Sequence, residues 1–376
     1  LNFYDDPATT SACTYKVYIA MQDTTGTVNI AVGRNALGSN TTANSNIAVG
    51  DSTLSQNLTG TENVAVGGNA MIANTTGSAN IGIGFQCLDA NTTGSANTAV
   101  GRSALGSNTT ASDNSAFGLF ALLNNTTGAS NCAFGRDALG SNTTASNNTA
   151  IGKSALQANT TGANNVAVGA FALDANTTAD SNTAIGHNSL TTNTTGSQNT
   201  ALGRKTLDLN TTASNNTAIG FEALRVNTTG ASNVAVGESA LDANTTASFN
   251  TACGAGSLSA NTTGSSNVGI GFVSLLANTT GSNNTGVGRN SLLANTTGGG
   301  NTAVGFAALD ASTTGSNNVA VGDSALGAST TGTNNVAVGA LALDANTTGG
   351  ANVAIGVNSL SENTVGAHNT AIGTSA

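Results

Sequence analysis

Asparagine recurs at every seventeenth residue from Asn29 to Asn369, without a single insertion or deletion. With this Asn as position 1, the 17-residue consensus is N-[VTI]-A-[VI]-G-x-x-[AS]-L-x-x-N-T-T-[GA]-x-x. Position 5 is Gly in all 21 cases, position 9 is Leu in nineteen of twenty coils, and position 12 is Asn in eighteen of twenty. Helical-hairpin repeats need about 33 residues or more, so a period this short excludes them. The pattern predicts an all-β fold, a parallel β-solenoid (β-roll) of twenty 17-residue coils.

Two parts of each coil have the composition of short strands. Positions 2 to 4, as in Val64-Ala65-Val66, place β-branched residues around a small one, so positions 2 and 4 share one face. A second short strand is predicted over positions 7 to 11, with the Leu at position 9 pointing inward. The large side chains at positions 4 and 9, with the β-branched residue at position 2, are expected to supply the buried surface. The Asn-Thr-Thr-Gly segment at positions 12 to 15 favours a turn, because Asn and Gly tolerate positive φ.

Stacking such coils places identical residues above one another at roughly 4.7–4.8 Å, so buried Asn side chains can form ladders of amide hydrogen bonds. This geometry explains the strict Asn at positions 1 and 12 without a catalytic role. At that spacing, twenty coils predict a rod of about 95–100 Å. The residues expected to form the structural ladder and its turns are Asn29, Asn46, Asn63, Asn80, Asn97, Gly33, Gly50, Gly67, Leu37, Leu54, Asn40 and Asn74.

Small side chains at two further positions indicate close approach of backbones. Position 3 is Ala or Gly in all 21 repeats, and position 8 is always Ala, Ser, Thr or Cys. The approach can lie across the coil or between chains. Burying two large side chains and a β-branched one yields about 5–8 kcal/mol per coil, whereas ordering each residue costs about 1–2 kcal/mol. We therefore expect a further face to be buried against identical chains.

Composition excludes several classes of protein. Only 7% of the residues are charged, and the nine Lys and Arg are scattered along the chain, so the cation cluster that nucleic acid requires is absent. No apolar run approaches the roughly 20 residues of a membrane span. Residues 1–28 differ from the repeat and predict an N-terminal cap or junction strand. Residues 29–376 form the predicted solenoid shaft, which ends in mid-coil, where we expect a domain, a cap or another subunit to cover the end.

The repeat resembles the NTAxGxxALxxNTTG repeats of bacteriophage tail fibres and related virion appendage proteins, over about residues 29–376. Residues 6–11 (DPATTS) and 14–17 (TYKV) are similar to a segment of phage fibre proteins. More distantly, Val353-Ala354-Ile355-Gly356 is similar to the head repeats of trimeric autotransporter adhesins, whose period is 14 rather than 17. The resemblance implies a left-handed, homotrimeric roll. It also implies neighbouring fibre or tail components as partners and a location on a virion tail fibre or an extracellular surface.

No residue pattern points to catalysis, a cofactor or a metal. The two histidines, His187 and His368, fall on variable outward positions, and the Asp residues lack the nonapeptide of calcium-binding β-rolls, which favours scattered solvated carboxylates. Three cysteines substitute for small core residues in coils too far apart to form a disulfide, namely Cys87, Cys132 and Cys253. Cys13 alone could pair with a symmetry mate.

The Asn-x-Thr at positions 12 to 14 is formally a glycosylation sequon, as at Asn91, Asn176 and Asn244. Turn and ladder chemistry is the favoured explanation of this segment, and glycosylation is the minority one. The predicted function is a non-enzymatic, rigid fibre shaft that spaces or displays a host-attachment tip. The alternative is an adhesin or glycosylated fibril whose ladder faces bind host-surface glycan. Ice binding is disfavoured, because adjacent threonines in a strand point to opposite faces.

Overall fold

The structure, a computed structural model, describes residues 28–376. The predicted cap or junction strand, apart from its last residue, therefore lies outside the described residues, as does Cys13. The described chain forms two compact units, one ending at Ala133 and one beginning at Phe134. Each is a parallel β-solenoid with a 17-residue coil, and no described residue is helical. The predicted all-β solenoid of about twenty coils is thus confirmed.

Every coil contributes one three-residue strand, at positions 2 to 4 of the repeat. The strands are β1 (Ile30–Val32), β2 (Ile47–Val49), β3 (Val64–Val66), β4 (Ile81–Ile83), β5 (Thr98–Val100), β6 (Ser115–Phe117), β7 (Cys132–Phe134), β8 (Thr149–Ile151), β9 (Val166–Val168), β10 (Thr183–Ile185), β11 (Thr200–Leu202), β12 (Thr217–Ile219), β13 (Val234–Val236), β14 (Thr251–Cys253), β15 (Val268–Ile270), β16 (Thr285–Val287), β17 (Thr302–Val304), β18 (Val319–Val321), β19 (Val336–Val338), β20 (Val353–Ile355) and β21 (Thr370–Ile372).

Within each unit, successive strands pair in parallel with a constant offset of one coil. In the first unit Ile30 is opposite Ile47, and in the second Thr183 is opposite Thr200. This register holds from β1 to β6 and from β8 to β21. Because no residue is inserted or deleted, each residue stacks on its own counterpart.

The predicted second strand over positions 7 to 11 is wrong. Positions 7 and 9 both lie in the left-handed region, as at Asn188 and Leu190, each with φ 54°. A strand requires strongly negative φ, so this segment is a turn. It still joins coils by backbone hydrogen bonds, because Leu190 N donates to Thr206 O at 2.9 Å. Left-handed leucine is uncommon, and full burial of the side chain offsets its conformational cost.

The strand faces inward through its small residue, which corrects the prediction that positions 2 and 4 are buried. Ala184 at position 3 has no exposed surface, whereas Ile185 at position 4 is 37% exposed. Position 3 lies across the coil from positions 8 and 9, since a Cβ added to Gly82 would lie 3.0 Å from Met71 Cγ and 3.2 Å from Cys87 Sγ. The core is one thin layer of Ala, Leu and Asn, so the small residues at positions 3 and 8 serve packing within the coil.

Candidate functional site

The Asn at position 1 links each coil to the next through a hydrogen bond from backbone to side chain. Asn199 is 1% exposed, and its backbone N–H donates to Asn182 Oδ1 at 2.9 Å. Its own Oδ1 accepts from the backbone N–H of Asn216 at 3.0 Å. Its Nδ2 donates to Ala213 O, at position 15 of the same coil, at 2.9 Å. One amide thus holds the backbone of two coils.

The Asn at position 12 forms a second ladder, between side chains. Asn91 Nδ2 donates to Asn74 Oδ1 at 2.9 Å and to Gly94 O at 3.0 Å. Gly94 O also accepts from Asn80 Nδ2, the position 1 side chain of that coil, at 2.9 Å. Both lone pairs of the position 15 carbonyl are therefore used, and the two ladders close the same corner of the coil.

The structure places the sequence-predicted ladder residues as follows. Asn46, Asn63, Asn80, Asn97 and Asn74 are fully buried in the two ladders, and Leu54 is fully buried in the core. Asn29, Leu37 and Asn40, in the first described coil, are half-buried.

The glycines of position 5 carry the strand into the following turn. Gly33, Gly50 and Gly67 have φ between 128° and 140°, which L-residues rarely adopt. A Cβ on Gly67 would also lie within 2.7 Å of the carbonyl carbon of Gly84 in the next coil. Both the dihedral and the close approach therefore require Gly here.

The position 12 ladder is interrupted where Ser replaces Asn in two consecutive coils. Asn295 Oδ1, Ser312 Oγ and Ser329 Oγ are buried and have no hydrogen-bond partner. A serine hydroxyl is too short to reach the amide one coil away. Unpaired buried polar atoms usually cost stability, so this stretch is a weak point in the ladder of the second unit.

The three candidate glycosylation residues lie inside the coil. Asn91, Asn176 and Asn244 have no exposed surface, and each Nδ2 donates both to the preceding ladder Asn and to the position 15 carbonyl. A glycosyltransferase must reach this nitrogen, and both of its hydrogens are already used. In the folded coil these three side chains are therefore not accessible to such an enzyme.

Among the described residues, charged side chains form small ion pairs at the surface, such as Arg225 with Asp242 at 3.0 Å. His187 is exposed, with its ring edge-on to Phe171 at 6.2 Å, and His368 is exposed many coils away. Among residues 28–376, no group of three His, Cys, Asp or Glu side chains could hold a metal ion. Cys87 is buried, and burial raises the pKa of its thiol to about 12, which suppresses thiolate formation.

The outward strand face, formed by positions 2 and 4, is the feature that the sequence reasoning assigned to the interior. Position 4 is apolar in every strand, and no strand residue is charged. The row is half-buried to exposed, with exposed fractions of 41% for Ile151, 43% for Leu202 and 36% for Val304. The signal in the sequence was the strict Ala or Gly at position 3, which fits a core too thin for a larger residue.

Three further rows lie outside the core, at positions 6, 13 and 14. Position 6 varies from coil to coil. In one stretch a cation stands between two aromatic rings, and the Arg289 guanidinium lies 5.9 Å from the ring centroids of both Phe272 and Phe306. On the turn, position 13 is tied to the next coil, as where Thr92 Oγ1 donates to Thr109 O at 3.0 Å. Position 14 leaves an exposed row of threonines, of which Thr93 is one.

In comparisons with known proteins, no protein-family model and no curated protein matches the chain. In the part of the chain from residue 28 onward, no helix is long and apolar enough to cross a lipid bilayer.

Proposed function

We propose that the chain is the rigid shaft of an extracellular appendage, of the kind found in phage tail fibres, and that it spaces or displays an attachment tip. The observation that carries the proposal is the contrast between the repeated ladders, core and strand face and the variable exposed row at position 6. The Asn ladders and the Leu row recur in almost every coil, whereas position 6 changes among Arg, Asp, Phe, Leu, Lys, His and Glu. A recognition site needs a fixed constellation of side chains, and a spacer needs only stiffness.

The resemblance to fibre repeats supports three finer parts of the proposal. The shaft is a left-handed homotrimer, it joins neighbouring fibre or tail components, and it lies on a virion or another extracellular surface. We expect the chain to act without catalysis, since its two histidines fall on variable positions of the repeat.

The experiment is a deletion of two whole coils, residues 148–181, in the particle or cell that carries the chain. A spacer shortened by two coils should assemble and support attachment at close to the unmodified level. Loss of attachment by an assembled, shortened fibre would show that those coils carry a binding site, and the shaft proposal would then be wrong.

A second candidate function is direct adhesion to host-surface glycan, favoured by the exposed threonine row at position 14. A glycan array probed with the purified chain separates the two functions, since a spacer should bind no glycan above background. Binding that is lost on replacing Thr93, Thr110 and Thr161 by Ala would establish the adhesin instead.

A further inference from the structure

We propose that the outward strand face is the surface on which further copies of this chain pack, parallel and in register. The inference rests on the proposed shaft and names the face through which its chains associate. It begins from the strands β8–β21 of the second unit, where position 4 carries fourteen consecutive apolar side chains. Soluble proteins rarely leave a continuous apolar patch of this kind uncovered, and such patches mark interaction surfaces.

The apolar row is sufficient in area for a stable interface. At about 25 cal/mol per Å², fully burying a Val, Ile or Leu removes roughly 60–120 Å² from water. Ile270 is 41% exposed and Val304 is 36% exposed, so each such residue has on the order of 25–50 Å² left to bury. Fourteen of them, with the half-exposed residues of position 2, reach roughly the 800 Å² per partner of an ordinary interface.

The regularity of the row indicates which kind of partner binds this face. A globular partner would need a few coils, and it would not require an apolar residue at position 4 of every strand. A partner that contacts each coil in the same way must itself repeat at the coil spacing, about 4.8 Å. A second copy of the chain has that spacing by construction. The absence of charge from positions 2 and 4 allows identical faces to meet without repulsion between like charges.

The orientation follows from the shaft. A fibre that displays a tip must carry the same end of every chain at that tip, so its chains run parallel. In register, each strand then lies beside its own counterpart, and a residue of this face lies near the same residue of the partner. Cys253, exposed at position 4 of β14, is a natural reporter of that pairing.

The first experiment is oxidative cross-linking of the full chain with Cys253 as its single cysteine, after Cys13→Ser, Cys87→Ala and Cys132→Val. We expect covalent oligomers in most of the protein. The matched control moves the thiol to the exposed turn of the same coil, by Cys253→Ser with Thr263→Cys, and should cross-link at least tenfold less. The proposed face or register would be wrong if both variants cross-linked equally, or if the variant with Cys253 did not cross-link at all.

The second experiment introduces charge and reads the assembly by sedimentation velocity. Ile270→Lys with Val304→Lys should weaken self-association at least tenfold, because two uncompensated cations would be buried at every contact. Thr280→Lys with Thr314→Lys adds the same charges to exposed turns of the same two coils and should leave the assembly unchanged. Circular dichroism establishes that both variants are folded. If the charged variant does not fold, the cross-linking result decides.

The outcomes separate this inference from the function on which it rests. An unmodified chain that stays monomeric at micromolar concentration would remove the self-association, whereas the in-register deletion tests the shaft by itself. If the lysine variant still oligomerises and Cys253 does not cross-link, the interface lies on another face. The shaft proposal would then still stand.

Discussion

At the scale of the residue, the side-chain amide of Asn combines a hydrogen-bond donor and an acceptor on one short side chain. It accepts from the backbone of the next coil and donates to a carbonyl of its own coil, so one side chain satisfies groups that a turn would otherwise leave unpaired. Asp would lack the donor, and Ser would lack the reach. The orphaned atoms of Asn295, Ser312 and Ser329 show the second limitation directly.

Asn199→Ala should destabilise its surroundings by about 1–3 kcal/mol, because the buried N–H of Asn216 loses its acceptor. Hydrogen exchange should show faster exchange of the Asn216 amide, and thermal denaturation should show the lower stability. Thr212→Ala, a truncation on the exposed turn of the same coil, is the control and should be nearly neutral. Unchanged exchange at Asn216 would contradict the assigned ladder.

Restoring the interrupted ladder should have the opposite effect. Ser312→Asn with Ser329→Asn gives Asn295 Oδ1 a donor and continues the row of amides to Asn346, so we expect a gain of about 1–3 kcal/mol. Chemical denaturation of the double variant measures the gain. Ser316→Asn, outside the ladder at position 16, serves as the control. A double variant no more stable than the unmodified chain would mean that these buried polar atoms already have hydrogen-bond partners.

The Asp174 carboxylate predicts a dependence of stability on pH. Its Oδ1 is buried without a partner, and burial raises the pKa of the carboxyl above its ordinary value. The native state therefore carries the cost of a buried charge above the raised pKa and loses that cost as pH falls through it.

Asp174→Asn should thus stabilise the chain at neutral pH, with an advantage that shrinks in acid below the raised pKa. Thermal melts of both chains across that range measure the difference. Asp323→Asn, at an exposed position 6, is the control for the substitution itself. An advantage for Asp174→Asn that persists unchanged in acid would contradict the buried-charge explanation.

At the scale of the element, each coil has one strand, and a stacked turn takes the place of the second strand predicted from sequence. The strand at positions 2 to 4 follows from its β-branched residues. The segment around Leu190 could not be assigned from composition, because leucine rarely adopts the left-handed conformation that the turn requires.

Alternation of side chains likewise defines two faces of a strand without saying which one is buried. The thickness of the coil decides it. With leucine filling the interior from position 9, only Ala or Gly fits at position 3, and the larger Val or Ile of positions 2 and 4 must face outward. The ladder Asn residues could be predicted from their strict spacing, whereas the outward face depended on this steric limit.

The thin core makes position 8 sensitive to volume. Ala155 is fully buried across from position 3, so Ala155→Leu should cost about 1–3 kcal/mol or more by overpacking the coil. Ala158→Leu is the matched control, because position 11 already holds an exposed leucine, Leu209, three coils further on. Denaturation of the two variants compares them directly. Equal stability would contradict the inward placement of position 8.

At the scale of the whole molecule, stability comes from contacts between neighbouring coils, as in other repeat proteins. Each coil donates and accepts the same hydrogen bonds as the next, so a coil can be removed if the register of those that remain is kept. Removing part of a coil brings unlike positions together.

Deleting residues 148–181 should leave a folded second unit, shorter by about 10 Å. Deleting residues 148–156 instead should abolish folding around the cut, because nine residues place ladder Asn opposite core and turn positions of the next coil. Circular dichroism and limited proteolysis distinguish the two. If both deletions are tolerated equally, stacking in register is not what holds the coils together.

The constant register also bears on how such a chain changes over generations. One coil corresponds to seventeen codons, so unequal recombination between two similar coils adds or removes a complete coil while the reading frame and both Asn ladders stay intact. Replication slippage has the same result. The number of coils can therefore change in steps of one without any intermediate that loses the register of the ladders.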